Sequence, residues 1–242
     1  MRNVLAYHAI LFLSLNWSVS AIASVDSNIE TNKSLSCEET VDFAYKLSLI
    51  NGHLWAASEL VAMDQFELAS RHSKHPSEEI YVELQPYFDA TESRGFSEEL
   101  TRLSNLFETN NVANFPAAYA ATSQRINRHF EELPLSDDGK RVVVFQLLSQ
   151  ALAEFEVGVK DGNVTDLQEY QDARGFTEIA GNIAGRLGPI ERGINRAKTL
   201  WPNLVPSDRD EIEEAVILRR LTDRMSTFLS GGSRQNLCVG LN

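Results

Sequence analysis

The sequence predicts an all-α protein, a helical bundle of about six to eight helices around a single main core. Three observations carry this expectation. Apolar residues recur close to every 3.6 positions from Val41 onward, alternation with a period of two is nearly absent, and proline and glycine punctuate the periodic stretches.

The elements follow in order. Residues 24–36 are polar and read as a flexible lead-in. A long helix is expected to start at Cys37-Glu38-Glu39, where acids suit the positive end of the helix dipole, and to run to His75, where Pro76 interrupts it. Pro76 opens a short helix with Ser77, Glu78 and Glu79 in its first turn, stopping around Pro86. Residues 96–108 place Leu100, Leu103, Leu106 and Phe107 on one face, and residues 115–133 form a helix before Pro134. Val142, Val143 and Val144 have β propensity, but Phe145, Leu147, Leu148, Ala151 and Leu152 continue them at helical spacing, so residues 142–160 read as helix up to Asp161-Gly162. Thr165 or Asp166 caps the next helix, residues 167–187, which stops at Gly188-Pro189. Residues 207–229 close the set before Gly231-Gly232, so that 37–231 form one bundle domain with a tail at 232–242 tied by Cys238.

Ahead of the bundle, Arg2 precedes a largely apolar run to Trp17 and the small-residue ending Ser20-Ala21-Ile22-Ala23, which reads as a cleavable signal peptide over 1–23. The expected location is periplasmic or secreted, with no membrane insertion after cleavage. A net charge of −12 and a pI near 4.9 disfavour nucleic acid and anionic lipid as partners. Cys37 and Cys238 are the two cysteines, and in an oxidising compartment they are expected to form a disulfide.

Candidate functional residues concentrate in 52–81, which holds His53, His72 and His75 out of five histidines. Read at 100° per residue along one straight helix, Asn51, Ser58 and Gln65 mark the solvent face. His53, Ala57, Leu60, Asp64, Glu67 and His75 fall opposite. Titratable groups on a buried face need hydrogen bonds, counter-charges or a metal. On that straight helix His53, Asp64 and His75 are spaced roughly 16 Å apart, so they reach one ion only with ligands from elsewhere. His72 and His75 face the same way, and Glu78 and Glu79 beyond Pro76 are placed to fold back toward them. Glu169 and Asp172 project two carboxylates from one face of another helix, the way bundles build transition-metal sites, unless Arg174 or Arg186 pairs with them. His129 with Glu132 reads as a surface pair. The predicted site is thus His53, His72, His75, Glu79, Glu169 and Asp172, with His53 supporting a polar core between the two helices.

Enzyme signatures are missing: no Gly-x-Ser-x-Gly elbow, phosphate-binding glycine loop, dinucleotide fingerprint, His-Glu-x-x-His helix or Glu-x-x-His repeat occurs. Asp161-Gly162-x-Val164 followed by Glu169-Tyr170, within residues 145–194, resembles a recurring element of the extracytoplasmic helical domains found with bacterial high-affinity iron permeases. His72-x-x-His75-Pro76 is loosely similar to the imelysin-like periplasmic iron-uptake components. The resemblance implies an α-helical, metal-linked, non-catalytic role, with iron or another transition metal ion as the bound species and a membrane iron-transport component as partner. The chain departs from the permeases in lacking their transmembrane helices and their Arg-Glu-x-x-Glu motif; residues 209–213 approach the motif but read as helix-capping acids. The leading expectation is an exported metal-binding accessory protein without turnover. The alternatives are a helical scaffold whose polar core groups fix helix register and an oxidase-like metalloenzyme.

Overall fold

The first helix, α1 (Cys37–Ala62), opens on a capping box in which the Ser36 hydroxyl accepts from the Glu39 amide while the Glu39 carboxylate accepts from the Ser36 amide. The computed structural model describes residues 35–185, 187–207, 212–231 and 236–240, all within one unit, Asn32–Asn242. The expected signal peptide, nearly all of the lead-in, Arg186, Arg209, Asp210 and Glu211 lie outside the described residues.

The expected unbroken helix to His75 is corrected here. It stops at Ala62, and α2 (Phe66–His75) starts after a reversal. Asp64 adopts φ +57°, its amide donates to the Val61 carbonyl and the Gln65 amide donates to the Leu60 carbonyl, which is the hydrogen-bond pattern of a left-handed helix stop. Glycine commonly fills that position, so an aspartate there gave no signal. The same pattern recurs at Glu92, after α3 (Gln85–Ala90), and at Asn110, after α4 (Ser97–Glu108).

Pro76 continues α2 into a π-helical turn, Pro76–Ile80, and a 3-10 turn, Tyr81–Leu84. Pro86 then sits in the first turn of α3 and starts a helix where the sequence predicts an end. α4 buries Leu100, Leu103 and Leu106 as expected, and α5 (Phe115–Glu131) follows. α6 (Asp137–Gly158) is capped by Ser136, and the valine run lies inside it. Asp161 and Gly162, at φ +50° and +75°, form the two-residue turn of a small hairpin, β1 (Val159–Lys160) with β2 (Asn163–Val164), that returns the chain as α7 (Leu167–Ala184), capped by Asp166. A helix absent from the sequence reading, α8 (Ile190–Ala197), follows. The last helix, α9, spans Val216–Gly231; the predicted start at 207 fails because 212–215 is not helical.

α7 is the centre of the bundle, packed on α1, α6 and α8, and it is buried on nearly every side. The main core joins Leu47, Ile50 and Leu54 of α1 to Leu147, Leu148 and Phe155 of α6 and Tyr170 and Phe176 of α7. Each such side chain contributes roughly 1.5–3 kcal/mol by leaving water. A smaller cluster of Leu60, Ala69 and Leu204 fills the corner under α2. The Cys37–Cys238 disulfide joins the start of α1 to a C-terminal segment that pairs with Leu135, the Ser136 amide donating to the Leu237 carbonyl at 2.9 Å. No described helix is long and apolar enough to cross a membrane.

α1 and α7 touch backbone to backbone at Gly52 and Gly175. A Cβ on Gly175 would stand 2.4 Å from the Gly52 carbonyl oxygen, so only glycine permits this approach. Gly175→Ala is expected to cost about 1–3 kcal/mol as the helices are forced apart. Thermal denaturation checks this, and an unchanged Tm would show that the two helices can part freely.

Candidate functional site

That close contact sets His53, the residue after Gly52, against Asp172, one helical turn before Gly175. His53 Nδ1 lies 2.5 Å from Asp172 Oδ1. The reversal at Asp64 brings α2 back along α1, so that His72 Nδ1 reaches the same oxygen at 2.9 Å. The three side chains are almost wholly enclosed, 5 %, 2 % and 1 % exposed for His53, Asp172 and His72. Two ring nitrogens and one carboxylate oxygen, one from each side chain, all lie within 4.8 Å of one another. The straight-helix spacing is corrected accordingly: His53 and His75 stack as near-parallel rings with centroids 4.7 Å apart.

His72 is held at both nitrogens. Its Nε2 stands 2.7 Å from Gln171 Oε1, and Gln171 Nε2 donates to the Leu204 carbonyl at 2.9 Å. The reversed amide would oppose two acceptors at Leu204, so Oε1 faces the ring and His72 Nε2 carries a hydrogen. With Nδ1 against the Asp172 carboxylate as well, both ring nitrogens donate and His72 is an imidazolium. Burial alone would push this imidazole down, yet the Asp172 charge and the hydrogen bonds with Asp172 and Gln171 carry it above its ordinary value. Burial would likewise raise Asp172, and the two imidazoles outweigh it, holding the carboxyl well below the usual carboxylate range.

His75 and Glu79 form an outer layer. His75 Nδ1 accepts from Gln168 Nε2 at 3.3 Å, and its Nε2 donates to Glu79 Oε2 at 2.9 Å, which makes it a neutral ring. Burial first, and His53 second, lower its pKa. Glu169 turns toward α6, where burial and a hydrogen bond with Glu154 push it up to about 9, so at neutral pH the two acids share a proton. Glu154 in turn accepts from Gln150 Nε2 at 2.5 Å.

The structure therefore brings His53, His72 and Asp172 into contact, sets His75 with Glu79 over them, and leaves Glu169 beside the cluster on the Glu154 side. Glu78 is exposed. Asp64 and Glu67, expected on the buried face, are exposed, because α1 has already ended; Glu67 pairs with Arg71 at 2.8 Å. Asn51, expected in solvent, is buried and bonds Asn127 and Ser123 of α5. Arg174 pairs with Glu178 and lies over the Trp55 ring, away from Asp172. His129 is no surface pair with Glu132; its ring packs on Phe88 and Phe96, and burial lowers its pKa.

The sequence reading missed Gln171, Gln168 and the stretch 201–204. Gln171 is neutral, and nothing but its place beside Asp172 on the helix with the deepest burial marked it. The stretch 201–204 is fastened to α7 by Trp201 Nε1 donating to the Tyr170 carbonyl, Tyr170 to the Asn203 carbonyl and Gln171 to Leu204.

No curated protein and no solved structure matches the chain. Residues 138–204 match a family model, and this stretch contains the segment 145–194 that carries the resemblance. It runs from α6 to Leu204 and supplies Glu154, Glu169, Gln171 and Asp172, while His53, His72, His75 and Glu79 lie outside it. Over these residues the chain is similar to the iron permease-associated 4-helix bundle domain.

Proposed function

We propose that this chain is an accessory protein of iron uptake, acting outside the cytoplasm, that carries a divalent transition-metal ion between His53, His72 and Asp172 without chemical turnover. The single observation behind this reading is the convergence of two imidazole nitrogens and one carboxylate oxygen in an enclosed space. Such a set suits iron(II) and its neighbours in the first transition row better than magnesium or calcium, which favour all-oxygen ligands. The similarity of 138–204 to an iron permease-associated domain supports iron as the cargo and a membrane iron permease as the partner. The donor set fits an ion, because His72 keeps an N–H for Gln171 while offering Nδ1, the usual second bond of a metal-bound histidine.

Calorimetric titration with Fe²⁺ under anaerobic conditions is expected to give one ion per chain. His72→Ala and His53→Ala should each weaken binding by more than the roughly 10- to 100-fold that losing a partner behind a ligand costs, while helical content persists. Binding through His72 Nδ1 displaces a proton, so the apparent heat should vary with the ionisation enthalpy of the buffer, and affinity should fall as the pH drops through the raised value of His72. Unchanged affinity in both variants ends the metal reading.

One observation favours the scaffold reading. The atoms left without a partner in the described interior are Ser73 Oγ, Glu99 Oε2, Arg125 Nε and Gln146 Oε1, and none belongs to the cluster. The three groups satisfy one another without an ion, as a buried register device does. A wild-type protein that binds neither Fe²⁺ nor Zn²⁺ would establish that role.

A further inference from the structure

We infer that Gln171 is the positioning residue of this site: by accepting from His72 Nε2 it makes Nδ1 the nitrogen that His72 presents to an ion. The inference rests on the metal reading above and concerns a residue outside the proposed ligand set.

Leu204 follows the 3-10 turn Lys198–Leu200 and Trp201, whose indole is anchored to the Tyr170 carbonyl at 2.8 Å. Tyr170 itself donates to the Asn203 carbonyl at 2.8 Å. The Leu204 carbonyl is therefore a fixed acceptor on the flank of α7, and Gln171, fully enclosed, gives it an amide hydrogen. That leaves Gln171 Oε1 with no choice but to accept, and the atom it meets is His72 Nε2. A neutral imidazole carries one hydrogen. With that hydrogen placed on Nε2, the lone pair sits on Nδ1, facing Asp172 and His53. Without Gln171 the neutral ring can put its hydrogen on Nδ1 and turn its lone pair away from the other two donors. Side chains that orient a metal-bound histidine in this way are worth roughly 10- to 100-fold in affinity.

Leucine and glutamate separate this role from simple packing. Gln171→Leu keeps most of the volume and removes both hydrogen bonds. Gln171→Glu keeps an acceptor for His72 Nε2, and its protonated form also donates to Leu204. With Zn²⁺ as a redox-silent probe in competition titrations on the full chain, Gln171→Leu is expected to bind about 10- to 100-fold more weakly than wild type. Gln171→Glu should stay within about threefold of wild type, even where both variants lose a similar amount of thermal stability. Long-range ¹H–¹⁵N correlation spectra of the zinc-loaded wild type should show His72 protonated at Nε2, a signature that packing alone would not set. Equal Zn²⁺ affinity in wild type and Gln171→Leu, equal losses in the leucine and glutamate variants, or a hydrogen on Nδ1 of His72 would each overturn the inference while leaving the metal reading standing. A wild type that takes up no Zn²⁺ and no Fe²⁺ overturns both.

Discussion

Asp172→Ala is expected to destabilise the metal-free protein by about 3–5 kcal/mol, the usual cost of removing one member of a buried ion pair. Both His53 Nδ1 and His72 Nδ1 would lose their acceptor at once, in an enclosed space. Asp172→Asn, which keeps the shape without the charge, should cost less. The pH dependence follows from the two shifted groups. Asp172 is held below its unfolded value, so its contribution is present above about pH 4 and lost as the pH falls through lower values. His72 is held above its unfolded value, so its contribution is present below about pH 6.5 and lost as the pH rises through its raised folded value. The gap between wild type and Asp172→Ala should therefore be widest between about pH 4 and 6.5. Urea denaturation across that range measures it, and a difference under about 1 kcal/mol throughout would mean that the imidazoles find other partners.

The second large effect is expected at the disulfide. Cys37 and Cys238 are 201 residues apart, and in the chain-entropy account a loop of that length contributes about 5 kcal/mol, with measured values more often 2–5 kcal/mol. Replacing both with serine should lower Tm by about 10 °C in a domain of this size. The helices should remain, since the Ser36 capping box and the core do not depend on the crosslink. Thermal denaturation of the double variant, beside wild type with and without reductant, reads the effect. A shift under about 2 °C would show that the backbone bonds joining Ser136 to Leu237 and Val239 to Pro134 hold the C-terminal segment unaided.

What the sequence disclosed, and what it withheld, follows from how far each signal reaches along the chain. Local signals did well. The 3.6 spacing located α4, α5, α6 and α7, Asp161-Gly162 located the turn, and the terminal placement of Cys37 and Cys238 named the bridge. His53, His72 and Asp172 stood out because charge on an apolar face is costly. Stops made by backbone geometry were invisible, since Asp64, Glu92 and Asn110 take the left-handed conformation without being glycine. The error at Asp64 then spread: a straight helix put His53 and His75 far apart, whereas the reversal stacks the rings. Asn51 was misplaced for a separate reason, because α5 covers that face of α1. Gln171 was hidden for another reason. Its importance comes from Leu204, which meets it only in the folded bundle.

One consequence of the shared Asp172 oxygen concerns the choice between folds. His53 and His72 reach it across 119 and 100 residues, so the cluster closes only when α1, α2 and α7 are docked in one register. A slip of α2 by one residue would swing His72 by about 100° and take one of the two imidazoles away from a buried carboxylate. Leucines and alanines along these helices tolerate such slips far better, because apolar contact is non-directional. The polar cluster thus acts against competing arrangements more than for the native one, widening the energy gap that separates a single packed state from its near-misses.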